Sequence, residues 1–190
     1  MKFSESKQIR RPTEHSPLRG WYIAATLFFL LLATYGSLVP LEFRARSLGD
    51  AWREFSGALG DPWSVLSRTD LVVNVLLFVP IGFFFLASLT PQRRRSERLY
   101  WRVAFVQICA LAVSCLIEFS QLWFEQRTAS PLDILAQALG TALGMGMWGL
   151  LGRDVEAVLR RGVLSDQRRW FAWSLWTGYA LALAVYSWLP

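Results

Sequence analysis

The sequence predicts an all-α, polytopic membrane bundle of five transmembrane helices, with the N-terminus in the cytoplasm and a short amphipathic helix in the first outer loop. Three observations predict it. Hydrophobic residues fill 54% of the 190 positions and charged ones only 18%, where a soluble domain carries about a quarter charged. Five apolar stretches, over 21–39, 71–89, 103–122, 134–151 and 170–189, each approach the ~20 residues that a ~30 Å hydrocarbon core requires. The hydrophilic segments between them alternate between arginine-rich and arginine-poor, which marks orientation in a bilayer. A soluble enzyme fold and a disordered chain are both excluded by this pattern.

The elements follow in order. Residues 1–20 form a basic tail holding Lys2, Lys7, Arg10, Arg11 and Arg19, read as cytoplasmic. The first span is read as a retained anchor, because its apolar run exceeds that of a signal peptide and no small-residue cleavage pattern follows. In the first outer loop, Leu48, Trp52, Phe55 and Leu59 recur at helical spacing with Asp50, Arg53 and Glu54 between them. That spacing predicts a short amphipathic helix, either a surface cover or a lid, ended by Gly60-Asp61-Pro62. The second span carries Pro80 at mid-membrane and is expected to kink there. The loop after it is basic, with Arg93, Arg94, Arg95, Arg98 and Arg102, and the loop after the third span holds only Arg127. Gly140 and Gly144 in the fourth span form a GxxxG face suited to close helix packing. Residues 21–151 thus form the membrane domain and 152–169 a cytoplasmic basic loop. Residues 170–190 form the fifth transmembrane helix, read also as the start of a longer C-terminal part. A faint echo of Ala33–Pro40 in Ala184–Pro190 accompanies that last span.

The net charge of +6 is spent on topology, so the expected partner is the lipid bilayer and not nucleic acid. Multi-pass insertion in the bacterial cytoplasmic membrane is the expected location. Cys109 and Cys115, six residues apart on one helix, stand about 9 Å apart along its axis and cannot bridge. The only histidine, His15, lies in the tail, so no histidine-based metal site is expected.

Polar residues inside spans are costly and mark candidate sites. Asp70 and Asn74 are four apart at the start of the second span. Gln107, Ser114, Glu118 and Gln121 lie on one stripe of the third. Asp133, Gln137, Gly140 and Gly144 share one face of the fourth, and Arg68 and Arg127 stand just outside the spans. With the expected topology, all these polar positions except Gln107 and Ser114 fall in the outer part of the bilayer and converge on one pocket opening outward. Two explanations stay open for the carboxylates: ion pairs of Glu118 and Asp133 with Arg127 and Arg68, or contact with a ligand. Three acids against two arginines leave one negative charge in excess. A protonated acid would balance it, as would a divalent cation such as Mg²⁺ on the carboxylates. The arginines could equally hold a phosphate.

The ordered set Arg68-x-Asp70-x3-Asn74-x3-Phe78-x-Pro80-x-Gly82, Glu118-x2-Gln121, Arg127-x5-Asp133 and Gly140-x3-Gly144 resembles the VanZ-like family of bacterial membrane proteins. That family takes its name from a protein associated with teicoplanin resistance. The resemblance covers about half of the chain, and Gln137 departs from it, standing where many relatives have asparagine. It implies a role at the cell envelope. Three readings stay open beside it. The first is a protein that binds or modulates an envelope lipid, lipid-linked glycan or glycopeptide target through Arg68, Asp70, Asn74, Glu118, Gln121, Arg127, Asp133 and Gln137. The second is a scaffold for envelope-assembly or exopolysaccharide-assembly proteins. The third is an intramembrane hydrolase or transferase using Glu118 and Asp133 as acid and base. The balance is against an enzyme, because Ser114 has no histidine to activate it.

Overall fold

The computed structural model describes residues 17–60, 68–90 and 98–163. Among them are five helices and no strand: α1 (Pro17–Leu38), α2 (Leu48–Gly60), α3 (Arg68–Leu89), α4 (Leu99–Gln121) and α5 (Pro131–Val163). Four of these, over Leu18–Leu38, Leu71–Leu89, Leu99–Gln121 and Pro131–Val158, are long and apolar enough to cross a membrane, and the chain is a multi-pass membrane protein. The fifth span expected over 170–189 lies outside the described residues.

Helix boundaries follow backbone chemistry more than hydropathy. α1 and α5 each open on a proline, whose missing N–H is no loss in a first turn. α4 begins four residues before the apolar run, and α5 continues to Val163, past the predicted span end at 151. Its 33 residues make a helix of about 50 Å, well beyond a ~30 Å hydrocarbon core. Residues 152–163 contain no proline, so nothing stops the helix where the apolar run ends.

α3 and α5 lie side by side and parallel, and glycines decide their distance. A methyl group added at Gly140 would fall on the carbonyl oxygen of Val75, and one at Gly144 on that of Val79. One added at Gly82 would meet the backbone of Thr141. The two backbones therefore touch every fourth residue, as small residues permit in a membrane. Pro80 lies in the same stretch of α3 and leaves one carbonyl of the preceding turn without its helical donor.

Three apolar clusters stack along the bundle. At one end Leu18 and Tyr22 of α1 meet Phe83 and Leu86 of α3, Val106 of α4, and Met145 and Trp148 of α5. Trp148 stands edge-on to Tyr22 and Phe83, with ring centroids 5.6 and 5.3 Å away, a favoured aromatic geometry. In the middle lie Ala33, Phe78, Ile81 and Ile117. At the other end Ala51 and Phe55 of α2 close over Leu122 and Ala129.

α2 is the short helix of the first loop. Ser47 caps it: its hydroxyl accepts the Asp50 N–H at 3.2 Å, satisfying an orphan donor of the first turn. The Ser47 hydroxyl, and then the Arg53 guanidinium, hold the Asp50 carboxyl below its ordinary value. Phe55 faces inward onto Phe119, 5.5 Å between centroids, while Leu48, Trp52 and Leu59 face outward. The segment before α2 is stitched to the segment after α4. Arg44 N–H donates to the Trp123 carbonyl at 2.8 Å, Glu125 N–H to the Glu42 carbonyl at 3.0 Å, and the Trp123 indole to the Arg46 carbonyl at 3.1 Å.

Candidate functional site

Beneath that stitched end, three helices bring polar side chains together. Ser114, Glu118 and Gln121 are buried on the inner face of α4, where steps of four and three residues stack side chains on one side. Glu118 is 0% exposed. Its Oε2 accepts the backbone N–H of Ser130 at 3.0 Å, and its Oε1 accepts Nε2 of Gln137 at 3.3 Å. The same Gln137 amide donates to Oδ1 of Asn74 at 3.3 Å. Asn74 of α3, Gln137 of α5 and Glu118 of α4 therefore form one hydrogen-bonded chain. Its far end is the residue preceding Pro131, at the N-terminus of α5, whose dipole favours an acidic group. Thr141, fully buried where Gly82 approaches, donates to the Gln137 carbonyl at 3.0 Å and steadies that turn.

Two polar atoms in this cluster are buried without a hydrogen-bond partner: Oε1 of Gln137 and Oγ of Ser114. Such atoms are rare in a settled interior, because each forgoes about 1–3 kcal/mol of solvation.

Arg127 does not pair with Glu118, one of the two explanations the sequence left open. Its Nε donates to the Val39 carbonyl at 2.8 Å and its Nη2 to the Gly36 carbonyl at 3.2 Å. The last carbonyls of a helix have no intrahelical donor, and a guanidinium fits them in charge and geometry. Arg127 thus closes the end of α1.

Of the other predicted site residues, Gln121 lies buried one turn beyond Glu118. Asp133 sits in the first turn of α5, four residues before Gln137, and its N–H donates to the Ser130 carbonyl at 3.1 Å. Arg68 and Asp70 open α3, but their side chains lie outside what is described. Among the described residues no group of three His, Cys, Asp or Glu side chains could hold a metal ion. Ser130 could not be found by reading side chains, since it contributes a backbone N–H that almost any residue carries. Thr141 could have been, as the one hydroxyl inside the glycine motif.

Chemically, the arrangement holds a carboxyl group on two neutral donors, next to an unused amide acceptor and an unused hydroxyl. A multi-pass helical membrane protein with one buried polar cluster joining three spans is the class that fold and site define. The family model described as VanZ/LLP1 matches residues 6–152, and the chain belongs to that family. No curated protein and no solved structure matches it.

Proposed function

We propose that this protein sits in the bacterial cytoplasmic membrane with its N-terminus inside. There it binds or modulates a cell-envelope lipid, lipid-linked glycan or glycopeptide target through the Glu118 cluster at the outer face. Asn74, Glu118, Gln137 and Gln121 form the inner wall of the site, Asp133 stands toward its mouth, and Arg68 and Asp70 join the reading by their sequence positions at the start of α3. Arg127 holds α1 against that mouth, and α2 covers it. The VanZ/LLP1 membership supports a role related to teicoplanin resistance.

One observation carries the reading. A fully buried glutamate is bonded to neutral donors, while two polar atoms of the same cluster have no partner. Polar side chains that only join helices gain by satisfying one another; these leave bonding capacity unused.

Lipids co-purifying with the wild-type protein and with Glu118→Gln, measured by mass spectrometry beside glycopeptide susceptibility of the host, test the proposal. Loss of a specific envelope lipid and of resistance, at normal protein abundance, is the expected result. Unchanged lipids and unchanged resistance at normal abundance would leave the scaffold reading in front. The orientation is tested separately by periplasm-reporting fusions, active at Pro62 or Ala129 and silent after Ser96.

A further inference from the structure

α2 is held to the bundle differently from the segment that leads into it. Residues 39–46 are bonded to residues 123–127. Arg44 N–H donates to the Trp123 carbonyl and the Trp123 indole to the Arg46 carbonyl. Gln126 Nε2 donates to the Glu42 carboxylate at 2.8 Å, and Arg127 to the Val39 carbonyl. From Ser47 onward that bonding stops. Among the described residues, the hydrogen bonds and ion pairs of α2 stay within residues 46–60: the Arg46–Glu54 and Arg53–Asp50 pairs, the Ser47 cap and the helix's own turns. α2 meets the spans through apolar side chains alone, and Ala51 and Phe55 are its buried residues.

Those two residues close over the polar cluster. They pack in one apolar group with Phe119, Ala129 and Ile134, the chain neighbours of Glu118, Ser130 and Asp133. Glu118 is 0% exposed, and Oε1 of Gln137 and Oγ of Ser114 are buried, so a ligand reaches them only when some element moves. α2 is the element whose departure breaks no hydrogen bond to the spans. It also has a surface to move to. Leu48, Trp52 and Leu59 share one stripe of the helix with Phe55, yet they are more than half exposed while Phe55 is buried. Asp50, Arg53 and Glu54 occupy the other side. At the end of the spans, such a stripe meets the bilayer interface. Turning Phe55 out to join it carries the ring from protein to lipid and not to water, so little hydrophobic burial is lost.

We propose that α2 is a lid that moves between the bundle and the outer leaflet. Closed, Ala51 and Phe55 shut the way to the Glu118 cluster. Open, Leu48, Trp52, Phe55 and Leu59 lie together on the lipid surface, and the cluster is accessible to a ligand arriving from that leaflet. Residues 39–46 stay bonded to 123–127 as the fixed post, and the turn at Ser47 is the hinge. The proposal rests on the functional reading of the Glu118 cluster and adds how that site is opened.

Ala129 is buried under α2, so Ala129→Cys sets a thiol beneath the lid. The full chain carrying it, in nanodiscs of phosphatidylcholine and phosphatidylglycerol, is treated with a membrane-impermeant maleimide. Peptide mass spectrometry follows labelling at position 129 beside the native Cys109 and Cys115 of α4. Weakening the two faces of α2 should act in opposite directions. Phe55→Ala loosens the closed lid and should speed labelling at 129 about tenfold, the worth of one buried phenylalanine contact. Leu48→Ser with Leu59→Ser weakens the hold of the leaflet on the open lid and should slow labelling about fivefold. Both of those leucines are exposed, so that variant keeps the closed contacts and the fold. Cys109 and Cys115 should label at one rate in every variant. Unchanged labelling at 129 in either variant, a shift of both variants in the same direction, or matching quickening at Cys109 would each overturn the proposal. If Glu118→Gln still loses its envelope lipid while labelling at 129 is the same in all variants, the functional reading survives and the lid does not.

Discussion

The two ends of the bundle are held by opposite means. At the Trp148 end, Tyr22, Phe83, Leu86, Val106 and Met145 close on one another through rings and aliphatic side chains. At the Glu118 end the same helices, α3, α4 and α5, are joined by directed bonds from Asn74 through Gln137 to Glu118. Between them Gly82, Gly140 and Gly144 let α3 and α5 touch along their backbones. The glycine seam joins α3 to α5 by close packing, which associates helices in lipid. The polar end adds directed bonds that tie α4 to the same pair.

The sharpest way to break this comparison is to separate the helices at the seam. Gly144→Leu drives a side chain into the Val79 carbonyl and should destabilise the bundle by about 3 kcal/mol or more, seen as a collapse of folded protein in fluorescence-detected size exclusion. Trp148→Ala should come next. It removes two edge-on ring contacts and leaves a cavity, for a loss of about 2 kcal/mol of packing, read as a lower melting temperature in detergent with ligand retention intact. Glu118→Gln should cost less, about 1 kcal/mol, yet abolish lipid retention. Arg127→Met removes bonds to α1 and not to Glu118, so the double variant should be additive within about 0.5 kcal/mol. Recovery of stability in the double variant would instead mean that the two charges are coupled.

The smallest effect belongs to α2. The Asp50 carboxyl is held below its ordinary 3.8 by Ser47 and Arg53, so its folded state binds a proton less readily than its unfolded state. The stabilisation is then fully present above that ordinary value and is lost as pH falls through the lowered one. Amide exchange in α2, corrected for its intrinsic pH dependence, should quicken as pH falls below about 4, while the corrected exchange of α3 and α5 stays unchanged. Equal quickening in all helices would show that α2 is not an independent cover.

Much of the architecture is legible residue by residue. Gly140 and Gly144 announce close packing, and the structure places the Val75 and Val79 carbonyls against them. Glu118 and Gln137 stand out as costly residues on helical stripes, and they are bonded to each other. Gln137, one methylene longer than an asparagine, reaches both Glu118 and Asn74. The end of α5 was not legible, because hydropathy reports where lipid stops and not where backbone hydrogen bonds stop. Neither was the partner of Arg127. Charge alone pointed it at Glu118, but the open carbonyls at the end of α1 compete for it, and they belong to the backbone of Gly36 and Val39.

Residue order by itself determined four membrane-spanning segments and the faces on which Asn74, Glu118 and Gln137 lie. These depend on local periodicity and on the cost of polar groups in lipid, both readable along a single chain. Only the tertiary structure decided which donors reach Glu118, which carbonyls take Arg127, and that Gln137 Oε1 and Ser114 Oγ remain unpartnered. Those outcomes depend on distances between helices, set by three glycines, and on backbone groups that every residue carries alike.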